Sequence, residues 1–132
     1  MESTAFKIDK KENYYLIKVL EDKFTARVAP DLKAELVHLN NKGAKNIIID
    51  LSETNYCDSS GLSVILVANR ICTESKGCLV VANPQKAVAK LIEISQLGNV
   101  LNITPSLDEA VDFIFMDQLE KGMEGEIDEN LN

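Results

Sequence analysis

The chain has 132 residues, 45% of them hydrophobic and 27% charged, which is enough apolar mass for one core and too little chain for a second domain. Its formal charge is −7, and residues 117–132 contribute −5 of it, through Asp117, Glu120, Glu124, Glu126, Asp128 and Glu129 against Lys121. With so little basic sequence and no Lys/Arg run interleaved with aromatics, direct nucleic-acid binding is disfavoured.

The opening "TAFKIDKKENYYLIKVLE" holds two β-type runs, Phe6 to Asp9 and Tyr14 to Leu20, separated by polar "KKEN", and predicts a hairpin. Lys23 to Val28 reads as a connector. Pro30 then suits the first turn of a helix "PDLKAELVHLNNKG", whose Leu32, Leu36 and Leu39 share one face and which Gly43 stops. "NIIIDL", Asn46 to Leu51, is a continuous β-branched run of the kind buried on both faces of a sheet. From Gly61 to Glu74 nearly every residue is apolar or small, so this helix needs cover on most of its circumference. "GCLVVAN" repeats the buried-strand pattern over Cys78 to Ala82, and Asn83-Pro84 offers an N-cap and first residue for a helix that Gly98 ends. "VLNIT" predicts a last strand. Ser106 to Glu109 is a capping box opening a helix with Leu107, Val111, Ile114 and Phe115 facing inward. The order β-β-α-β-α-β-α-β-α predicts an α/β fold with a mixed sheet, since a hairpin is antiparallel while strands separated by helices pair in parallel. Residues 117–132 read as the end of the last helix and an acidic, disordered tail.

Cys57, Cys72 and Cys78 have no C-x-x-C spacing, and the single His38 does not complete a metal set with them, so reduced structural thiols are expected and no metal or cofactor. No apolar run approaches the roughly 20 residues that span a bilayer, and "MESTAFKIDKKE" lacks the pattern of a signal peptide. The expected location is cytoplasmic, away from the membrane.

The stretch "YCDSSGLSVIL", Tyr56 to Leu66, falls between a strand's carboxyl end and a helix, where open α/β sheets place ligands and chemistry. In the plainest reading Asp58 caps the helix, accepting from the N–H groups of Ser60 or Gly61. A serine nucleophile in G-x-S-x-G is excluded, because Ser59 is flanked by Cys57 and Gly61, and Ser63 by Gly61 and Ile65. His38 lies off the apolar face of its helix and completes no triad. A phosphate-accepting Asp with bound Mg²⁺ is disfavoured because the first strand ends in one acid and two bases, Asp9-Lys10-Lys11. Neither G-x-x-x-x-G-K-[ST] nor G-x-G-x-x-G occurs, so no phosphate cradle of those kinds is encoded. The remaining reading makes a serine the substrate: a seryl phosphate at a helix N-terminus meets the positive end of the helix dipole. Of the two serines, Ser59 is the better placed.

The segment "NIIIDLSETNYCDSSGLSVILVANRICTESKGCLVVANPQKAVAKLIEISQLGNVLNIT" resembles the STAS domain of anti-sigma-factor antagonists, a similarity that runs over most of residues 6–116 through the "IIIDLS" strand, its spacing to "DSSGL", the aliphatic helix with Arg70, the "GCLVVANPQKAVAKLIEIS" unit and the later "SLDEAVDFI". The resemblance implies a single STAS-like domain over 1–116 and a non-enzymatic binding switch. The dephosphorylated protein would bind an anti-sigma factor that is also a GHKL-type serine kinase, and a PP2C-type phosphatase would restore it, so regulating transcription indirectly. Carried over by motif, Ser59 is the phosphoacceptor, Asp58 its neighbouring acid, and Ser60, Gly61 and Leu62 belong to the same docking loop and helix start. In "DKFTARVAPDL", Thr25 stands where many members carry an acid, and Asp22 replaces a usual glycine. Thr25, near the phosphoacceptor in the family, joins the expected partner-binding set. The alternative is a constitutive STAS scaffold or regulatory subunit of a signalling or transport complex, without phosphorylation.

Overall fold

The computed structural model describes the backbone over residues 5–131 and side chains over residues 5–122. Five strands form the main sheet: β1 (Phe6–Lys10), β2 (Tyr15–Val19), β4 (Asn46–Asp50), β6 (Cys78–Ala82) and β7 (Asn102–Thr104), in the order β1-β2-β4-β6-β7. β1 and β2 pair antiparallel, as a short hairpin must, and every later pairing is parallel. The helices are α1 (Ala29–Asn41), α2 (Ser59–Glu74), α3 (Lys86–Ile94) and α4 (Leu107–Leu131). Two short strands, β3 (Lys23–Phe24) and β5 (Tyr56–Cys57), make a separate parallel pair.

The strand order steps one way from β2 to β7, so crossovers of one hand leave α1, α2 and α3 on the same face. There Leu32, Leu36 and Leu39 of α1, Ile65, Ala68 and Cys72 of α2, and Val88 and Ile92 of α3 close the larger core over Ile17, Ile47, Ile49, Leu79 and Val81. Helix α4 follows the last strand and folds onto the opposite face, setting Ala110 and Ile114 against Ile48, Val80 and Ala82. Strands β4 and β6 are therefore buried along their whole length, which is why their sequences are continuous rather than alternating.

Several expectations need correction. The connector Lys23 to Val28 contains strand β3. Asn83 and Pro84 do not open α3: Asn83 takes a left-handed φ of 54°, its N–H donates to the Thr104 carbonyl (3.1 Å) and its amide to Asp50 Oδ1 (3.5 Å). Tied to the sheet, Asn83 is unable to cap, and the helix starts two residues later with Gln85 as N-cap. Gly98 does not end α3 either. Gln96 takes the left-handed turn at φ 60°, and the Leu97 N–H reaches back to Ile92 O (3.1 Å) while its side chain packs on the core. Phe115 is 56% exposed, whereas Ala110 is fully buried, because the apolar side of α4 is a narrow stripe. The Ser106 hydroxyl accepts from the Glu109 N–H (3.2 Å) and donates to the Glu109 carboxylate (2.9 Å), a variant of the capping box. By its backbone α4 extends to Leu131. The expected disordered tail falls largely on residues 123–132, whose side chains lie outside the described residues.

Candidate functional site

Asp58 is the N-cap of α2, with extended backbone (φ −104°, ψ −173°). Its Oδ1 accepts from the N–H groups of Ser60 (2.9 Å) and Gly61 (3.1 Å), satisfying two of the donors that a helix start leaves unpaired. The cap is held from behind by the mini-sheet. Pairing of Phe24 with Cys57 brings the connector against the junction, and the Asp58 N–H donates to the Phe24 carbonyl (3.3 Å). Residue 61 must be glycine at this crossing, because a Cβ there would collide with the Phe24 carbonyl and approach Cys57 Sγ to 2.8 Å.

Ser59 is exposed at the first helical position. Its carbonyl accepts from the Ser63 hydroxyl (2.8 Å), but its own hydroxyl makes no hydrogen bond among the described residues. Ser60 is half-buried, Gly61 is buried and Leu62 is only 8% exposed, so of the expected docking loop Ser59 is the side chain offered outward. Tyr56, 51% exposed on the strand just before the cap, extends this outward surface and was not singled out in the sequence. Its signal was a large aromatic two residues before the capping acid.

Thr25 directly follows the Phe24 that pairs beside the cap. Its carbonyl accepts from Val28 and Ala29 (both 2.9 Å), closing the turn into α1, and its hydroxyl accepts a long 3.4 Å bond from the Arg27 N–H. Asp22 has its own work: its carbonyl accepts from the N–H groups of Asn55 (2.9 Å) and Tyr56 (3.1 Å), and its carboxylate from the Asn55 amide (2.7 Å). A glycine there would keep the backbone bonds and lose the third.

The thiols offer no nucleophile. Burial, with the Asp58 charge second, pushes Cys57 up to about 11; burial likewise pushes Cys72 up to about 12 and Cys78 to about 11. The native thiols thus hold their protons more tightly than the unfolded chain, in which thiols ionise near 9.0. Their contribution to stability is fully present below pH 9 and is lost as pH rises towards 11 to 12, by up to about 1.4 kcal/mol per thiol and pH unit. Urea unfolding is expected to show lower stability at pH 10 than at pH 8, with a smaller fall in Cys57→Ala; equal falls in both proteins would contradict the burial assigned to this thiol. Among the described residues no group of three or more His, Cys, Asp or Glu is placed to hold a metal, and no helix is long and apolar enough to cross a membrane.

Comparison with known proteins agrees with this geometry. The family model for the STAS domain matches residues 6–110. A protein of Bordetella bronchiseptica named "Putative anti-sigma factor antagonist BtrV" is 29% identical over 95 residues, covering 72% of this chain and 82% of that protein. An anti-sigma factor antagonist from Mycobacterium paratuberculosis superposes with a TM-score of 0.74 at 18% identity, covering 83% of this chain and 92% of the other. The Bacillus cell fate determinant SpoIIAA, in its phosphorylated form, superposes at 0.66 and 21% identity, covering 83% and 99%. The two structural likenesses, at such identities, speak for the fold. The sheet order, the capped strand-to-helix junction and the match over residues 6–110 together place this chain in the STAS domain family.

Proposed function

We propose that this protein is an anti-sigma factor antagonist: a non-enzymatic binding protein that engages an anti-sigma factor through the surface around Ser59 and is switched off by phosphorylation there. The observation that carries the reading is the division of labour at the start of α2, where Asp58 performs the capping and leaves the Ser59 hydroxyl exposed and uncommitted. The relationship to BtrV and the likeness to a protein known in a phosphorylated form support it. The partners on this reading are a GHKL-type kinase that is also the anti-sigma factor, and a PP2C-type phosphatase, all in the cytoplasm.

A phosphate on Ser59 would bring roughly two negative charges beside the Asp58 carboxylate. Two of the nearest helix donors are already taken by that carboxylate, so the added charge stays at the surface, where a partner must desolvate it. Incubation with the cognate anti-sigma kinase and ATP, followed by mass spectrometry, is expected to place one phosphate on Ser59 and none on Ser59→Ala. Because Asp58 is the cap, Ser59→Ala should melt within about 2 °C of the native protein. Phosphate on another residue, or persisting in Ser59→Ala, rejects the site.

One observation favours the second reading, a constitutive scaffold. Thr25 puts no carboxylate beside Ser59 and spends its polar groups on the turn into α1. Stable partner binding with no labelling by any cognate kinase would select that reading.

A further inference from the structure

At the end of the sheet opposite Ser59, the β1–β2 turn and the turn from α1 into β4 enclose a cleft of about 280 Å³. Lys10, Lys11, Lys42 and Lys45 line it, with Tyr14, Tyr15 and a single acid, Glu12. We propose that this cleft binds a compact multivalent phosphate anion.

The charge pattern is the first support. The chain carries 21 acids against 14 Lys and Arg residues, so four lysines around one hollow with a single acid, Glu12, locally reverse the overall charge balance. None of the four takes part in the ion pairs among the described residues, which are Lys7–Asp9, Lys18–Glu53 and Lys121–Asp117. Four lysines lining one hollow raise the local positive potential, which a bound anion would neutralise. The favourable interaction of a cation with a helix C-terminus accounts for Lys42, the C-cap of α1, and leaves Lys10, Lys11 and Lys45 unexplained.

The second support is rigidity. The Asn46 side chain, buried at the base of the cleft, donates to the Asn13 carbonyl (3.0 Å) and accepts from the Cys78 N–H (2.9 Å), tying the hairpin turn, β4 and β6 together. The Lys45 carbonyl also accepts from the Cys78 N–H (3.1 Å). Gly43, at φ 90°, reverses the chain so that Lys42 and Lys45 flank the opening, and the Lys11 N–H closes the hairpin on Tyr14 O (2.8 Å). The backbones that carry the ammonium groups are therefore fixed before any ligand arrives, which lowers the cost of binding.

Size and overall charge select the ligand. The hollow suits an ion of a few phosphate groups, while a net charge of −7 and the absence of a basic stripe oppose a long polyanion such as nucleic acid. The fold brings positions 10, 11, 42 and 45 together next to Tyr14 and Tyr15. β4 separates this cleft from the Ser59 end by about 15 Å, so its occupancy leaves the Ser59 surface uncovered.

Titration of the ¹⁵N-labelled protein with inorganic tripolyphosphate at low salt tests the proposal. The expected result is saturable amide shifts confined to residues 10–15 and 42–46, an affinity that falls with added NaCl, and binding about tenfold weaker or worse in Lys42→Gln/Lys45→Gln. The control Lys33→Gln/Lys90→Gln changes two exposed lysines elsewhere and should bind as the native protein does. Shifts spread over the whole surface, equal weakening in both double variants, or no saturation would overturn the site.

Discussion

Replacement of Ser59 by Asp is expected to weaken binding to the cognate anti-sigma factor about tenfold or more, or about 1.4 kcal/mol. The side chain is exposed, so the change costs the fold little, and its effect falls on the complex. Asp58 is already fixed one residue away by two amide hydrogen bonds, and no Lys or Arg pairs with it among the described residues. A second carboxylate there must be desolvated against the first, and among the described residues no cation of this protein pairs with the site. Ser59→Asn has nearly the size of Asp without the charge, and should stay within about threefold of native affinity. Calorimetric titration of the three proteins separates charge from bulk. Native affinity in Ser59→Asp would mean that the anti-sigma factor docks elsewhere.

The largest expected loss of stability is at Gly77→Ala, about 3 kcal/mol or more. A Cβ at residue 77 would fall on the backbone carbonyl of Lys45, which cannot swing aside as a side chain can. That carbonyl accepts from the Cys78 N–H, and the Gly77 carbonyl itself accepts from Lys121 Nζ (2.7 Å). Making room means parting β4 from β6 where the two central strands begin. Gly98→Ala is the matched control, because an added Cβ there meets nothing within 4 Å and its backbone needs no glycine; it should be neutral or slightly stabilising. Urea unfolding measures both. A Gly77→Ala protein within about 1 kcal/mol of native would show that the two strands separate more easily than their burial implies.

Legibility followed the range of the interactions. The Leu32, Leu36 and Leu39 stripe, the continuous strands "NIIID" and "CLVVA", and the Asp58 and Ser106 caps were all readable, because each depends on residues within a turn or two of one another. The misreadings share the opposite property. Asn83-Pro84 is a sound local helix start, but the Asn83 N–H is claimed by Thr104 and its amide by Asp50, residues 21 and 33 positions away, so the tertiary bonds win over the local signal. Strands of two residues have no periodicity, so β3 and β5 were invisible until the fold paired Lys23 with Tyr56 and Phe24 with Cys57. Tyr56 was overlooked for the same reason, since its outward aim comes from that pairing.

The sequence by itself determined the order of the helices and of the main-sheet strands, the mixed sheet, the buried central strands and the capped junction that carries Ser59, and so the family to which the chain belongs. All of these are set by burial pattern and local backbone chemistry, which residues in sequence contact express directly. Only the tertiary structure decided how the junction is backed by Phe24, why residues 61 and 77 must be glycine, and that four lysines from two distant turns line one hollow with Glu12 as the single acid. Those features depend on which segments cross in space. Close approach and charge convergence are properties of pairs far apart in the chain, and the folded sheet is what brings such pairs together.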